Sequence, residues 1–209
     1  MRAIATFFTG LALCLTLAAC NKAPSNAVTS DDMSLGSPAA KVTVIEYASL
    51  GCPHCATWNN EVFPQFKTKY IDSGKVHYVL REALTGASST AAAGFLLARC
   101  VGKDKYFQVV DAVFAAMPNP EAVDQPRPIL LRIAQSAGLS EAQFETCVSD
   151  EKALNALQTR WNRYVTDDKI NATPTFVING KVYDKGELSM PDLDKAIAEA
   201  AAGPAKPAS

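Results

Sequence analysis

Two cysteines separated by two residues form the most reactive pattern in the sequence: Cys52-Pro53-His54-Cys55. Thiols at this spacing can form a disulfide with each other, and the ionised thiol is the form that attacks other disulfides. Such a pattern alone predicts either thiol–disulfide exchange or metal binding. Here it follows a β-branched apolar run and precedes an amphipathic one, and this context favours redox chemistry.

The residues around the cysteines predict the elements that must position them. Residues 42–48 form a nearly continuous apolar run that indicates a buried strand, interrupted by one carboxylate, Glu46. After the motif, large apolar side chains recur every four residues, as on the buried face of a helix: Trp58, Val62, Phe66 and Tyr70. Residues 75–80 then predict a second strand. The cysteines therefore lie where a helix begins inside a βαβ unit.

A helix start favours a thiolate, because its unpaired N–H groups and its dipole stabilise an anion. The dipole contributes at most about 2 kcal/mol, which lowers a cysteine pKa by roughly one and a half units. A larger fall requires further donors, from the imidazole of His54 or from the backbone. We assign Cys52 as the exposed attacking thiolate and Cys55, one helical turn later, as the buried resolving thiol.

Metal binding is the alternative use of Cys52, His54 and Cys55. Zinc sites usually need four protein ligands, or three and a water molecule. The other histidine of the chain, His77, falls in the second predicted strand and is interpreted as a surface residue of that strand. Ala56 follows Cys55, so the haem-attachment pattern is absent. We expect no metal and no cofactor.

The first twenty residues indicate export. Arg2 and an uncharged apolar run form a signal peptide over residues 1–19, and the sequence that ends at Cys20 resembles the lipobox of bacterial lipoproteins. This resemblance implies cleavage before Cys20 and a lipid on its sulfur, which would attach the protein to a membrane. An ordinary secretory signal and an uncleaved anchor remain alternatives.

Four cysteines remain once Cys14 leaves with the signal peptide and Cys20 is lipidated. An even number in an exported protein suggests disulfides. Besides the redox pair, we therefore predict a structural disulfide between Cys100 and Cys147. Two buried free thiols are the alternative, since cysteine packs well as a small apolar residue.

The overall charge is close to neutral. The sequence carries 20 basic and 21 acidic residues, and loss of Arg2 leaves 19 − 21 = −2. Without a basic run, a nucleic-acid partner is disfavoured. Residues 20–38 are rich in Ala, Ser, Asn and Pro and predict a flexible tether, and residues 203–209 predict a disordered tail.

Between these ends the body has three parts. Residues 39–86 contain the βαβ unit, residues 87–168 show only helical patterns, and residues 169–202 return to strands. In the last part, Asn179-Gly180 joins two short strands in a predicted hairpin, and a helix follows. We predict an α/β fold with an inserted helical subdomain.

These features together resemble the DsbA-like branch of the thioredoxin superfamily. The resemblance rests on the strand that leads into Cys52-Pro53-His54-Cys55, the helical insertion, the sequence 172–176 (ATPTF) and the final hairpin and helix. It covers nearly the whole mature body and implies a thioredoxin fold with an inserted all-helical subdomain.

The resemblance also implies roles for three further residues. Pro174 matches the cis-proline that faces the active-site cysteines. Thr173, before it, matches a residue that touches substrate and tunes redox behaviour. Glu46 matches the buried acid under the site, which accepts or relays the proton of Cys55.

The direction of the reaction is open on the sequence. Pro-His between the cysteines resembles disulfide-forming oxidases, which act on reduced exported proteins and are reoxidised by a quinone-linked membrane partner of the DsbB type. No dimerisation domain fits before residue 39, so we expect a monomer on the extracytoplasmic side. Thr173 stands where the best-known oxidases carry Val, which keeps a reductase or isomerase open. A lipid-anchored chaperone or metal-binding module without turnover is the alternative outside this class.

Overall fold

The computed structural model of the protein describes residues 27–119 and 124–203. The predicted signal peptide, Cys20, the first part of the predicted tether and residues 204–209 lie outside the described residues. Within them, no helix combines the length and hydropathy needed to cross a membrane.

Five strands form one mixed sheet in the spatial order β1-β3-β2-β4-β5. The strands are β1 (Met33–Leu35), β2 (Val42–Ala48), β3 (Val76–Glu82), β4 (Thr175–Ile178) and β5 (Lys181–Tyr183). Strands β2 and β3 are parallel, and the other neighbouring pairs are antiparallel. The parallel pair is the predicted βαβ unit, and β4 and β5 form the predicted hairpin around Asn179 and Gly180, both of which have positive φ.

Eight α-helices surround the sheet in the described residues. They are α1 (Pro53–Glu61), α2 (Phe63–Phe66), α3 (Ser88–Cys100), α4 (Lys103–Ala116), α5 (Pro126–Ser136), α6 (Glu141–Val148), α7 (Glu151–Thr166) and α8 (Met190–Ala202). A π-helical turn, Lys67–Ile71, continues α2. Helices α3 to α7 form the insertion, and its described part contains no strand, as predicted.

Strand β2 is central and separates two cores. Side chains on successive strand residues alternate between the faces of a sheet. Ile45 and Tyr47 face a small core with Tyr164 and Val177. The other face carries Glu46 toward the large core that the sheet forms with most of the helices. This alternation places a single carboxylate beneath the start of α1.

Glu82, at the end of β3, fastens the insertion to the sheet. Its carboxylate is 1% exposed and accepts hydrogen bonds from Arg99 at 2.6 Å, Arg160 at 2.7 Å and Tyr106 at 3.0 Å. The three donors come from α3, α4 and α7. A buried charge of this kind is stable only when it is paired, so these contacts hold the insertion in a fixed position next to the site.

A disulfide joins Cys100 at the end of α3 to Cys147 in α6, with 5.8 Å between their Cα atoms. This is the pair for which the sequence predicted a bridge. It lies within the insertion and links two helices through cysteines that are 47 residues apart in the chain.

Strand β1 contradicts the prediction of a flexible tether over residues 20–38 in its second half. Met33 is buried, and β1 pairs with β3. The buried guanidinium of Arg81 makes two 3.2 Å hydrogen bonds to Asp32 and a 2.8 Å hydrogen bond to the carbonyl of Ala27. The composition of residues 20–38 could not predict this packing, because it depends on one apolar and one acidic side chain. The partners of these two side chains lie almost fifty residues away in the chain.

His77 is a second correction. It was predicted at the surface of its strand but is buried, with 5% of its surface exposed. Burial disfavours the imidazolium and lowers the pKa of His77. The sequence did not show that β1 pairs along β3, or that Asp32, just before β1, lies close enough to act on the charge of His77.

Candidate active site

The cysteine pair lies at the point where β2 leads into α1. Cys52 is the residue before the first helical turn, and Pro53 occupies that turn, where its missing N–H removes no helical hydrogen bond. Cys55 follows one turn later. The two thiols are free in the structure, so the site is in its dithiol state.

Cys52 is more enclosed than predicted, with 7% of its surface exposed. The cause is the loop before β4, because the Cys52 sulfur lies 3.4 Å from the carbonyl oxygen of Thr173. Cys52 remains more accessible than Cys55, which is fully buried. Cys52 is therefore the more exposed of the two cysteines, as predicted, although most of its surface is buried.

The pKa of Cys52 falls from its ordinary value of 9.0 to about 5. The main cause is a hydrogen bond from the Cys55 thiol, opposed by burial and supported by the Thr173 side chain and by the backbone N–H groups of Cys55 and His54. A helix dipole alone accounts for roughly one and a half units. Specific donors supply the rest, so Cys52 is a thiolate at neutral pH.

Cys55 behaves in the opposite way. Burial raises its pKa far above the ordinary range, and its hydrogen bond to Cys52 and the charges of Glu46 and Cys52 raise it further. The backbone N–H of Ser49, 3.5 Å from the Cys55 sulfur, opposes this increase. The proton of the dithiol therefore resides on Cys55.

Glu46 lies beneath the dithiol with 1% of its surface exposed. Burial raises its pKa from 4.5 to about 8, and the negative charge of Cys52 adds to the increase. The hydroxyl of Tyr78 donates to Oε2 of Glu46 at 2.6 Å and partly offsets it. A carboxyl group with this pKa can both take up and release a proton near neutral pH.

The peptide bond between Thr173 and Pro174 is cis. Pro174 is buried and Thr173 half-buried, directly against the Cys52 sulfur. The hydroxyl of Thr173 lies 2.6 Å from the hydroxyl of Thr85, which belongs to the connection between β3 and α3. The structure thus brings together Cys52, Cys55 and the loop that the sequence placed 120 residues later.

His54 is directed away from the sulfurs. Its Nδ1 lies 2.9 Å from Oε1 of Glu187, and 77% of its side chain is exposed. Its contribution to the Cys52 thiolate comes from the backbone N–H and not from the imidazole. In the described ranges, no three or more His, Cys, Asp or Glu side chains are grouped as metal ligands would be.

Sequence reasoning did not identify Ser49, Tyr78, Thr85 or Glu187. Ser49 directly precedes the motif, so its proximity was available from the sequence, although its contact with Cys55 was not. The other three come from distant elements and carry no motif. Only the pairing of β2 with β3 and the path of the loops bring them to the site.

The site can exchange disulfides because its two thiols differ strongly. A stabilised thiolate is a good leaving group, and stabilising it also favours the reduced form of the pair over the disulfide. The buried acid next to the second thiol can supply or accept the proton that this exchange requires. A mixed sheet with a dithiol at a helix start, opposite a cis-proline, defines the class as thioredoxin-fold proteins with a reactive cysteine pair.

Comparison with known proteins agrees with this class. The family model described as thioredoxin matches residues 28–199. A putative protein-disulfide oxidoreductase of Rickettsia bellii is 33% identical over 176 residues, which are 82% of this chain and 67% of the relative. A probable disulfide bond formation protein D of Bacillus cereus is 28% identical over 170 residues, 79% of this chain and 75% of the relative.

Among solved structures, alpha-DsbA1 of Wolbachia pipientis superposes with a TM-score of 0.74 at 29% sequence identity, covering 84% of this chain and 93% of that chain. The protein belongs to the thioredoxin family, among its DsbA-like thiol–disulfide oxidoreductases. The chain spans 67% of the length of the Rickettsia bellii relative and 56% to 62% of four further Rickettsia relatives.

Proposed function

We propose that the protein is a disulfide-forming oxidase of exported proteins. The observation that carries this proposal is the stabilised thiolate of Cys52, whose pKa is about 5. A thiolate stabilised in the reduced state makes the corresponding disulfide a stronger oxidant. The reaction then runs toward oxidation of the substrate and reduction of the Cys52–Cys55 pair.

In the first step, a substrate thiolate attacks the sulfur of Cys52 in the Cys52–Cys55 disulfide. A new sulfur–sulfur bond joins substrate and Cys52, and Cys55 leaves as a thiolate. Its raised pKa makes Cys55 take up a proton at once. Glu46 is the proposed donor, because the pKa of Glu46, about 8, keeps it protonated at neutral pH.

In the second step, another substrate thiolate attacks the substrate sulfur of the mixed disulfide. The substrate gains its disulfide, and Cys52 leaves as the stabilised thiolate. Two electrons have moved from the substrate thiols to the enzyme pair. Thr173 and Pro174 are the proposed substrate-binding residues, since their loop lies directly against the Cys52 sulfur.

The next turnover requires an electron acceptor for the dithiol. A quinone-linked membrane oxidase of the DsbB type is the proposed partner, with reduced exported proteins as substrates. We propose an extracytoplasmic location for a monomer held at the membrane by a lipid on Cys20. The Cys100–Cys147 disulfide supports such a location, because disulfides persist mainly in oxidising compartments.

The test is the equilibrium redox potential of Cys52–Cys55, measured by equilibrating the purified protein with glutathione buffers and trapping free thiols. We expect a value close to that of the strong oxidant DsbA, about −120 mV. A value near that of thioredoxin, about −270 mV, would overturn the oxidase and identify a reductase. The C52A variant, which cannot close the pair, gives the baseline for thiol trapping.

A further inference from the structure

Ser49 uses its backbone and its hydroxyl in hydrogen bonds around the dithiol. Its N–H donates to the Cys55 sulfur at 3.5 Å, and its carbonyl oxygen accepts from the N–H of Cys52 at 3.1 Å. Its hydroxyl donates to the carbonyl oxygen of Thr85 at 2.8 Å and accepts from the N–H of Gly51 at 3.2 Å. Because a backbone N–H can only donate and a carbonyl oxygen can only accept, the direction of each bond is fixed.

The Ser49 hydroxyl fastens the loop after β2 to the connection between β3 and α3, which runs beside it. The N–H of Ala83 donates to the carbonyl of Ala48 at 2.8 Å, and the N–H of Ala87 donates to the carbonyl of Gly51 at 3.0 Å. In chain order, the bond from the Ser49 hydroxyl falls between these two contacts. The loop is thus held along its outer side, and the Ser49 N–H stays directed at the buried thiol.

The sulfur of Cys55 carries a negative charge only briefly during the exchange. When a thiolate attacks the Cys52 sulfur, the bond between the two sulfurs breaks and its electron pair passes to Cys55. The resulting thiolate is fully buried, and a buried anion without hydrogen bonds is strongly disfavoured. Before the attack this sulfur belongs to a neutral disulfide, and afterwards it is a thiol, protonated by Glu46 in the proposed mechanism. Since neutral sulfur is a weak acceptor, a nearby N–H stabilises the transient thiolate most.

We propose that Ser49 is a positioning residue for the leaving sulfur: its hydroxyl holds its own backbone N–H against Cys55, where this N–H stabilises the thiolate as the sulfur–sulfur bond breaks. The side chain acts through the backbone of the loop, in the way that fixed N–H groups stabilise a developing anion in other active sites. The inference rests on the proposed function only in taking Cys52 as the attacked sulfur and Cys55 as the leaving one.

The test compares the full-length protein with its Ser49→Ala variant, which keeps the N–H but loses the hydroxyl that holds it. Mixing the oxidised protein with dithiothreitol and trapping free thiols measures the step in which Cys55 leaves. Weakening one hydrogen bond to a charged group predicts a reduction rate about tenfold lower. The equilibrium with glutathione should change less than about twofold, because Cys55 is uncharged in both end states.

A second measurement asks whether Ser49 acts on Cys55 alone. The Ser49→Ala change is made in a Cys55→Ala background, where the leaving sulfur is absent. Glutathione bound to Cys52 of that variant is displaced by dithiothreitol, and the rate reports a step in which Cys52 leaves. Because the Ser49 N–H contacts the sulfur of Cys55, adding Ser49→Ala should change this rate less than about twofold.

Two further variants separate the Ser49 hydroxyl from the general loss of a contact. Ser49→Thr keeps a hydroxyl at this position and should return the reduction rate toward the wild-type value. Asn60→Ala is the matched control, because the Asn60 side chain also donates to a backbone carbonyl later in the chain, that of Phe114 at 3.0 Å. Asn60 lies at the opposite end of α1 from Cys52, so its replacement should leave the reduction rate unchanged.

The proposal is overturned if Ser49→Ala is reduced as fast as the wild type, or if it slows the release of Cys52 in the Cys55→Ala background to the same extent. Should Ser49→Ala not fold, Ser49→Gly, which leaves room for a water molecule at the freed Thr85 carbonyl, decides the question in the same measurements. A low wild-type potential would contradict the oxidase but not this inference, because the ratio of the two reduction rates can be measured at any starting potential.

Discussion

The two cysteine pairs of the protein can each form a disulfide, but one pair is reactive and the other is structural. Cys52 and Cys55 lie one turn apart at the start of a single helix, next to a buried acid, and are free thiols in the structure. Cys100 and Cys147 are 47 residues apart in the chain and join two helices. The first pair opens without separating any elements of the fold, whereas the second restrains a long loop.

The difference shows that the surroundings of the sulfurs, and not the bond itself, separate a reactive disulfide from a structural one. At the active site, the Cys55 thiol and the backbone of α1 stabilise a thiolate, so one sulfur leaves easily. In the insertion, the bridge limits the freedom of the unfolded chain. The following predictions test this division, beginning with the largest expected effect.

Replacing Cys52 with alanine should abolish thiol–disulfide exchange. The attacking and leaving sulfur is then absent, and Cys55 is buried with a raised pKa. The measurement is oxidation of a reduced, unfolded substrate protein in glutathione buffer, compared with the rate without enzyme. The C100A/C147A double variant, as the matched control, should keep the activity. Full activity of C52A in this assay would contradict the assignment of Cys52 as the reacting sulfur.

Removing the second pair by C100A/C147A should lower the free energy of unfolding by about 4 kcal/mol, the chain-entropy value for a loop of this length. The pKa of Cys52 should stay near that of the wild type. Urea unfolding measures the first quantity and thiolate absorbance the second. A clear change in the pKa of Cys52 would mean that the two pairs are coupled through the insertion.

Replacing Glu46 with glutamine should remove a destabilising contribution to the free energy of unfolding that grows as the pH rises. The folded protein keeps the Glu46 proton up to a pKa of about 8, whereas the unfolded chain loses it near 4.5. Unfolding therefore releases a proton between these values, and stability falls as the pH rises through that window. At pH 7 the E46Q variant should be more stable by roughly 3 kcal/mol, with little difference at pH 4.

Urea unfolding of both reduced proteins across this pH range checks the Glu46 prediction. Cys52 titrates in both proteins, so the difference reports Glu46 together with its electrostatic coupling to Cys52. Equal pH dependence would show that Glu46 is not a buried acid with a raised pKa. The variant should also resolve mixed disulfides more slowly, because it can neither give nor accept the proton of Cys55.

The smallest effect is expected for E187Q, which removes the carboxylate that lies 2.9 Å from Nδ1 of His54. The His54 side chain is 77% exposed, and exposed pairs contribute little in water. The redox equilibrium with glutathione should change less than about fivefold, in keeping with the near-zero to 1 kcal/mol typical of such pairs. A larger change would place the surface pair, and not the enclosed donors around Cys52, in control of the reactive cysteines.

Much of the fold was predictable from local sequence patterns. The apolar run of β2, the hairpin at Asn179-Gly180 and the periodicity of the insertion each depend on residues close in sequence. Chain order then placed the Cys52 motif at the end of β2. The cis peptide bond before Pro174 was predictable only from the resemblance to a family, because a Thr-Pro sequence before a strand can have either a cis or a trans bond.

What could not be predicted depends on partners far apart in the chain. Docking of the segment that holds Asp32 involves the guanidinium of Arg81, and His77 is buried on the same strand as Arg81. The contact of Thr85 with Thr173 spans 88 positions. Such pairs leave no periodicity, and only the folded sheet reveals them.

Strand β1 also affects how the protein can meet its proposed substrates. Unfolded chains carry free backbone N–H and C=O groups, and an unpaired strand edge binds such groups without regard to sequence. At Tyr78–Leu80, β1 already occupies the outer edge of β3. An extended polypeptide is thereby excluded from the edge of β3. A segment of three residues thus keeps the outer backbone groups of a longer strand paired within the protein.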